Sequence, residues 1–268
     1  MNFQAITYAR DGAVAVITLN QPQTLNALNE TMLNEVLAAL AEARRDKTVR
    51  ALLLIGSGRL FSAGADLGAL TQANDLGLSR GENVGRMMHQ VFNRVTRELR
   101  EMPVPVLVAL NGGVAGGAVG IALAGDVIVA ARSAYFYLPF VTKLGLIPDL
   151  GATWFLQRTL GAARALALSL AGERWSAEQA RDWGMLHACV DDDALPAEAM
   201  KIARQLSRLP ANGVIEARRA FDAASRNDLS SQLAYEAERQ RELLDLPSFE
   251  EGVQAFFDKR EPAFSGRG

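Results

Sequence analysis

The sequence predicts an α/β fold in which a mostly parallel sheet with helical crossovers is followed by a helical C-terminal part. Before residue 150, short apolar runs that are typical of buried strands alternate with segments of helical spacing. Alternation of this kind favours parallel strands joined by crossover helices. After residue 150, apolar residues recur mainly at helical spacing, so most of the remaining chain is expected to be helical.

Local patterns predict the individual elements. A β-branched apolar run between turn signals predicts a strand at residues 13–19, and leucine and valine at helical spacing predict a helix at residues 30–45. Further buried strands are predicted at residues 51–55, 105–110 and 126–131, with a helix of small residues at 116–124. Helices are then predicted at residues 154–170, 177–183, 197–209, 213–225 and 230–244, and a packed strand at 185–190.

The composition is that of an ordinary globular protein. The 268 residues are 49% hydrophobic, and a net charge of −2 gives no indication of binding to nucleic acid or to a membrane surface. Cys189 is the only cysteine, which excludes an internal disulfide, and the N-terminal residues lack the pattern of a signal peptide. We therefore expect a cytoplasmic protein with no membrane span and no nucleic-acid partner.

Two glycine-rich segments follow predicted strands and are candidates for a functional site. They are residues 58–67, with the sequence GRLFSAGADL, and residues 111–120, with the sequence NGGVAGGAVG. Open α/β sheets bind ligands outside the carboxyl ends of their strands, and glycine lets backbone N–H groups approach a ligand oxygen. Neither segment has the spacing of a Walker A or dinucleotide-binding motif. Tight turns with close helix–strand packing are the alternative interpretation.

Four segments in order resemble the crotonase (enoyl-CoA hydratase/isomerase) superfamily over nearly the whole chain. The matches to its opening strand and turn are residues 16–22 (VITLNQP) and 25–28 (LNAL). The matches to its two oxyanion-hole loops are residues 61–67 (FSAGADL) and residues 103–112 (PVPVLVALNG) leading to 115–117 (AGG). The match to its C-terminal signature is residues 257–264 (FDKREPAF).

The resemblance implies a fold, an assembly and a substrate. The fold is a spiral of ββα units over residues 1–195, which carries the acyl-CoA site, and a helical C-terminal region over residues 196–268 for oligomerisation. The assembly is a homotrimer, commonly paired into a homohexamer. The substrate is an acyl-CoA thioester, with no metal and no cofactor beyond the coenzyme A of the substrate itself.

The implied oxyanion hole consists of two backbone N–H groups, which match Ala65 and Gly117. Reactions beside a thioester place negative charge on its oxygen, and each preorganised donor to such an oxygen stabilises the transition state by about 3–4 kcal/mol. The positions implied to contact CoA or the acyl chain are Ala27, Leu28, Ser62, Ala63, Asp66, Phe140 and, from a neighbouring subunit, Lys259. Simple solvation of Lys259 and a loop-ordering role for Asp66 are the alternatives. Met87, Met88, Phe92 and Trp154 are further acyl-pocket candidates.

The positions of the two hydratase glutamates argue against hydratase activity. In the family, one glutamate lies three residues after the second oxyanion-hole glycine, and Gly120 stands at that position. The other lies about twenty residues further on, where this sequence has Phe140 or, with one inserted residue, Val141. None of these side chains transfers a proton, so hydration of an enoyl-CoA is not expected.

Asp149 is the leading candidate for the acid–base group. It lies in residues 144–154 (LGLIPDLGATW), and an aspartate after Ile-Pro resembles the isomerases of the phenylacetate-degradation type. A related position carries a nucleophilic aspartate in the dehalogenases of the family. An apolar cleft would raise the pKa of this carboxyl toward the range that a general base needs. The alternative role is a cap for a helix that starts near Gly151.

The favoured function is therefore an enoyl-CoA isomerase that moves a double bond, or rearranges an aromatic-ring epoxide thioester, through Asp149. A hydratase, a hydrolase or a dehalogenase are alternatives within the family. The alternative from a different class of protein is a family member that binds CoA and has no catalytic activity.

Overall fold

The computed structural model describes residues 2–71, 77–264 and 266. The strands are β1 (Ile6–Asp11), β2 (Val14–Leu19), β3 (Ala51–Gly56), β4 (Leu60–Ser62), β5 (Val106–Leu110), β6 (Gly113–Ala115), β7 (Val127–Ala131), β8 (Tyr135–Tyr137), β9 (Arg174–Ser176) and β10 (Ala188–Val190). The helices are α1 (Glu30–Arg45), α2 (Leu67–Thr71), α3 (Arg80–Met87), α4 (Asn93–Arg100), α5 (Ala118–Leu123), α6 (Ala152–Leu160), α7 (Ala162–Ala171), α8 (Ala177–Asp182), α9 (Leu195–Leu206), α10 (Ala211–Ala224), α11 (Leu229–Leu244) and α12 (Pro247–Asp258). Short π-helical turns occupy Met88–Phe92 and Phe140–Leu144.

The strands form two sheets that are built in alternation. The large sheet has the order β1-β2-β3-β5-β7-β10 and is parallel except for the β1–β2 pair. The small sheet has the order β4-β6-β8-β9, and only β9 is antiparallel to its neighbour. Strands β3, β5 and β7 each enter the large sheet, the next strand enters the small sheet, and helical segments follow. This is the predicted spiral of ββα units.

Strand β3 lies inside the large sheet and is buried on both faces, which accounts for its continuous apolar run. Leu52 and Leu54 face the main core, which includes side chains of α1, α4 and α5. Leu53 points to the opposite face, where it packs in a second cluster with Ile202 of α9. Burial of each such leucine contributes about 2 kcal/mol, so a strand covered on both faces needs apolar residues at every position.

The C-terminal helices differ from the predicted ones in one main respect. The single helix predicted at residues 154–170 is two helices, α6 and α7, which are separated at Gly161 with φ +78°. Helix α8 begins with a capping box, because Ser176 and Gln179 exchange side-chain to backbone hydrogen bonds. The local patterns did not predict several elements that are present, namely strands β1, β4, β6, β8 and β9 and helices α2, α3, α4 and α12.

Two further expectations concern the C-terminal part. Phe221, Phe256 and Phe257 are exposed by 81%, 80% and 72%, which gives this part an apolar surface in the single chain. The division at residue 195 and the trimer or hexamer stay predictions. Over the described ranges, no helix combines the length and the apolar character needed to cross a bilayer.

Candidate active site

The first loop (residues 63–66) follows β4 and is held by backbone contacts. Leu28 forms an isolated parallel bridge with Ala65: the N–H of Leu28 donates to the carbonyl of Gly64 at 2.8 Å, and the N–H of Asp66 donates to the carbonyl of Leu28 at 3.0 Å. In such a bridge the N–H of Ala65 points away from Leu28. Within the described part of the chain that N–H donates no hydrogen bond, so it is available to a ligand oxygen.

Buried polar side chains fix the approach to the first loop. Asn26 is completely buried, and its amide donates to the carbonyls of Ser57 at 2.8 Å and Leu60 at 3.0 Å. Its Oδ1 accepts from the N–H of Gln21 at 2.8 Å, and its carbonyl accepts from Ser62 Oγ at 2.7 Å. Asn26 was not a predicted site residue, because its only sequence signal is a polar residue between apolar neighbours.

The second loop (residues 116 and 117) lies against the first because β4 and β6 are neighbours in the small sheet. Gly64 has φ +88°, and a Cβ on it would lie 2.6 Å from the carbonyl oxygen of Ala115, so only glycine fits this contact. Gly117 is the N-cap residue of α5, and among the described residues its N–H has no acceptor. The two predicted oxyanion-hole donors therefore lie on adjoining loops at one edge of the small sheet.

Asp149 reaches the second loop from the aspartate turn (residues 148–151), which precedes α6. Its Oδ1 lies 2.8 Å from the position that a Cβ on Gly117 would occupy. This oxygen is buried and has no hydrogen-bond partner among the described residues. Burial raises the pKa of Asp149 to about 6, and its own backbone N–H opposes the rise only in part. Such a carboxyl can exchange protons near neutral pH.

The carboxyl of Asp149 does not cap a helix, so that alternative is wrong. Helix α6 begins after the N-cap residue Gly151, and no side chain caps it. The backbone carbonyl of Asp149 instead accepts from the N–H of Ala152 at 2.9 Å. Leu150 and Gly151 both have left-handed conformations, with φ +49° and +91°. This conformation costs a residue such as leucine about 1 kcal/mol, so surrounding contacts must hold the turn.

The positions matched to the hydratase glutamates hold no acid–base side chain, and Gly120 has no room for one. A Cβ on Gly120 would lie 2.4 Å from the carbonyl oxygen of Leu150, so the backbone leaves no room for any side chain there. Phe140 is buried, and its Cζ lies 3.8 Å from the position of a Cβ on Gly116. Val141, the alternative match, is 37% exposed. No carboxyl stands at any of these positions.

The residues predicted to contact CoA fall into two groups. Ala27, Leu28, Ser62, Ala63 and Asp66 are brought together around the first loop by the Leu28–Ala65 bridge and the Ser62 hydrogen bond. Asp66 Oδ1 accepts from the N–H of Ala69 at 3.1 Å, so it orders its own loop, as its alternative role requires. Lys259 is exposed at the end of α12, a helix that packs mainly on α11, and it is not brought to this loop within one chain.

The other acyl-pocket candidates lie in different surroundings. Met87 and Met88 are half-buried against the main core and Phe92 is part of it. Trp154 is 39% exposed and lies under the guanidinium of Arg158, at 3.7 Å from its ring centre. A role for these side chains around the acyl chain stays a prediction.

Comparison with known proteins agrees with this geometry. The family model "Enoyl-CoA hydratase/isomerase" matches residues 9–267. The chain is 42% identical to the 1,2-epoxyphenylacetyl-CoA isomerase of Escherichia coli (strain K12), with 95% of each chain covered. It is 40% identical to a protein of Rhodobacter capsulatus named "Probable enoyl-CoA hydratase", with 100% of each covered. A crystal structure of enoyl-CoA hydratase from Bacillus anthracis has a TM-score of 0.89 at 30% identity, over 98% of this chain and 100% of that one.

The ββα spiral and the paired backbone donors define an enzyme of the crotonase class. The chain belongs to the enoyl-CoA hydratase/isomerase family. An acyl-CoA thioester substrate is consistent with this membership. The named relatives include both an isomerase and a hydratase, so membership alone does not select the reaction.

Proposed function

We propose that this enzyme is an enoyl-CoA isomerase that moves a double bond along the acyl chain, with Asp149 as the acid–base group. One observation carries the proposal: the buried carboxyl oxygen Oδ1 of Asp149, which has no hydrogen-bond partner among the described residues, lies against Gly117, the residue whose N–H is matched to the oxyanion hole. Proton transfer beside a thioester requires a base and an oxyanion site that face the same few atoms.

The proposed reaction has two proton transfers. The thioester oxygen of a 3-enoyl-CoA accepts hydrogen bonds from the N–H groups of Ala65 and Gly117. The ionised Asp149 carboxylate removes a proton from the α-carbon, and the negative charge spreads to the thioester oxygen as a dienolate. The protonated Asp149 then returns the proton to the γ-carbon, which leaves the conjugated 2-enoyl-CoA and a regenerated carboxylate. The two backbone donors stabilise the intermediate charge.

The pKa of Asp149 suits this exchange and sets its pH dependence. Because the pKa is raised to about 6, the carboxylate is ionised at neutral pH and its conjugate acid can give the proton back. The base is active without its proton. We therefore expect kcat/KM to fall about tenfold per pH unit below about pH 6 and to level off above it.

Hydration is disfavoured because it needs a second acid–base side chain for the water. Gly120 and Phe140 cannot transfer a proton, and the backbone of Leu150 occupies the space that a side chain at position 120 would need. Asp149 alone can shuttle one proton between two carbons of the same substrate, which suits an isomerase.

Rearrangement of an aromatic-ring epoxide thioester is a second candidate reaction for the same site. It is favoured by the 42% identity to a 1,2-epoxyphenylacetyl-CoA isomerase. For either substrate we propose that Ala27, Leu28, Ser62, Ala63 and Asp66 surround the CoA moiety, that Phe140 adjoins the acyl chain, and that Lys259 of a second copy in a trimer or hexamer contacts a phosphate.

The test is the rate at which purified enzyme converts a 3-enoyl-CoA and 1,2-epoxyphenylacetyl-CoA, and the rate at which it hydrates crotonyl-CoA. We expect rising absorbance of the conjugated thioester from the 3-enoyl-CoA. Asp149→Asn should lower kcat by about 10³-fold, because the amide cannot take up the proton. Asp193→Asn, which changes an exposed carboxyl, is the matched control and should leave kcat unchanged.

Three results would contradict this proposal in different ways. Full isomerase activity in Asp149→Asn removes Asp149 from the chemistry. Substantial hydration of crotonyl-CoA by the wild type refutes the argument from Gly120 and Phe140. Binding of acyl-CoA without conversion of any thioester in a broad panel favours a binding protein instead.

A further inference from the structure

Thr96 of α4 is bonded to the aspartate turn. Its Oγ1 donates a hydrogen bond to the carbonyl of Leu150 at 3.0 Å, across 54 positions of sequence. Its Cγ2 lies 3.4 Å from the position of a Cβ on Gly151. Thr96 therefore contacts the two left-handed residues that directly follow Asp149.

Leu150 is wedged between the second loop and α5. Its side-chain Cδ1 lies 2.8 Å from the position of a Cβ on Gly117, and its carbonyl oxygen lies 2.4 Å from that of a Cβ on Gly120. Within the described chain, the carbonyl of Leu150 accepts its hydrogen bond from the Thr96 hydroxyl. Because a leucine disfavours the left-handed conformation, loss of the donor would favour rotation of the turn toward ordinary backbone angles.

The anchoring of the turn on each side determines which residues this rotation would move. Helix α6 is anchored by buried residues such as Ala152 and Leu156, so it holds the C-terminal side of the turn in place. Asp149 lies on the other side, where Oδ1 of its carboxyl has no hydrogen-bond partner among the described residues and only its own backbone N–H interacts with the group. The movement would therefore fall mainly on Asp149.

We propose that Thr96 is a positioning residue whose hydroxyl holds Leu150 in its left-handed conformation and thereby keeps the Asp149 carboxyl against Gly117. This inference rests on the proposed function of Asp149 and assigns no direct contact between Thr96 and the substrate.

The charged groups near the aspartate turn do not cause the shift in the pKa of Asp149. Arg97 and Arg100 of α4 and Asp222 of α10 line an open cleft of about 570 Å³ together with Leu150 and Gly151. Arg100 is paired with Asp222 at 2.9 Å. None of these charges contributes to the pKa shift of Asp149, which arises from burial and from its own backbone N–H.

The test compares Thr96→Val, which keeps the shape and removes the donor, with Thr96→Ser, which keeps the donor. Thr159→Val is the matched control, because Thr159 Oγ1 also donates to a backbone carbonyl, that of Phe155, at 3.0 Å. Thr96→Ala replaces Thr96→Val if the latter fails to fold. Three quantities are measured for each variant: kcat and KM on a 3-enoyl-CoA, and the pKa of Asp149 by carboxyl ¹³C NMR, with the signal assigned from Asp149→Asn.

We expect Thr96→Val to lower kcat by about tenfold or more with KM changed by less than about twofold, since misplacement of a reacting group affects the chemical step. Its Asp149 pKa should fall from about 6 toward the ordinary value as the carboxyl gains solvent. Thr96→Ser should stay within about threefold of wild type in kcat, and Thr159→Val within about twofold.

Thr96→Val with wild-type kcat and an unmoved Asp149 pKa would overturn the inference, as would equal losses in Thr96→Ser or Thr159→Val. The NMR titration separates this inference from the proposed function. If the wild type converts no thioester but Thr96→Val alone moves the Asp149 pKa, Thr96 still positions the turn and the isomerase proposal is the one that fails.

Discussion

The first loop and the aspartate turn contribute to the same site but are held in opposite ways. The approach to the first loop is held by several hydrogen bonds: the buried amide of Asn26 bonds three backbone groups, and the amide of Asn111 bonds Gly56 and Gly58. The aspartate turn carries a buried carboxyl oxygen without a partner and a leucine in a left-handed conformation. The first loop is thus held by hydrogen bonds around a backbone donor, whereas the aspartate turn is strained and, in the proposed function, supplies the acid–base group.

This difference follows from the task of each region. Backbone donors stabilise charge best when they are fixed before the reaction, which accounts for the hydrogen bonds that hold the approach to the first loop. An acid–base group needs a pKa near the working pH, and burial without a compensating partner is one way to raise it. Strain and an unsatisfied carboxyl reduce stability, and they are tolerated where they serve chemistry.

The largest expected effect on stability concerns the approach to the first loop. Asn26→Gly removes the amide but retains the left-handed conformation that Asn26 adopts with φ +52°. Three partly buried backbone groups then lose a partner, so we expect a loss of about 3 kcal/mol in the free energy of unfolding. Chemical denaturation measures it, and Asn212→Ala on an exposed turn of α10 is the control. A loss below about 1 kcal/mol would mean that the loop does not depend on this amide.

Crowding between α5 and the aspartate turn should produce the next largest effect. In Gly120→Ala the new Cβ meets the Leu150 carbonyl at 2.4 Å, and backbone on both sides must shift. We expect about 2–3 kcal/mol of destabilisation, together with reduced isomerase activity as Asp149 moves. Gly85→Ala is the matched control, because a Cβ there meets nothing within 4 Å and alanine favours helix α3.

A glutamate at position 120 sharpens the same point. Gly120→Glu restores the side chain that the family's hydratases carry at the matched position, yet the Leu150 backbone leaves it no space. We expect a misfolded or inactive protein rather than a hydratase. Efficient hydration of crotonyl-CoA by this variant would show that the aspartate turn moves aside more easily than its packing indicates.

The sequence predicted the architecture best where a pattern reports burial. Strand β3 is apolar at successive positions because both faces are covered, and its predicted range differs from the observed one by a single residue. Strand β1 is mostly solvated at the edge of the sheet, so it offers no comparable alternation. The break between α6 and α7 was missed because one glycine is tolerated inside a helical pattern, whereas Gly161 has a conformation outside it.

The site could be predicted only in part for a similar reason. Ala65, Gly117 and Asp149 are predicted because their motifs resemble those of the family, whereas the glycine-rich segments alone predict only where a ligand could approach. The contact between Thr96 and Leu150 joins side chain to backbone across 54 positions, and a threonine in a helix carries no signal for it. The lack of space for a side chain at Gly120 likewise depends on the folded backbone around it, which the sequence does not reveal.

The smallest expected effect concerns the stability cost of the buried Asp149 carboxyl. Its folded pKa, about 6, lies above its ordinary value of 3.8. Below about pH 4 the carboxyl is protonated in both the folded and the unfolded chain, so it contributes no difference. Between about pH 4 and pH 6 the unfolded chain releases the proton and the folded chain retains it, so stability falls as pH rises. Above pH 6 the cost is constant.

Asp149→Asn abolishes this titration, and the difference in unfolding free energy between the variant and the wild type isolates it from all other ionising groups. We expect the variant to gain about 2 kcal/mol over the wild type between pH 4 and pH 6, after allowance for the solvent that reaches part of the carboxyl, and no further gain above pH 6. Denaturation curves at several pH values measure the difference. A difference that does not grow between pH 4 and pH 6 would mean that the Asp149 carboxyl has a stabilising partner in the folded chain, and the contrast with the hydrogen-bonded first loop would then no longer hold.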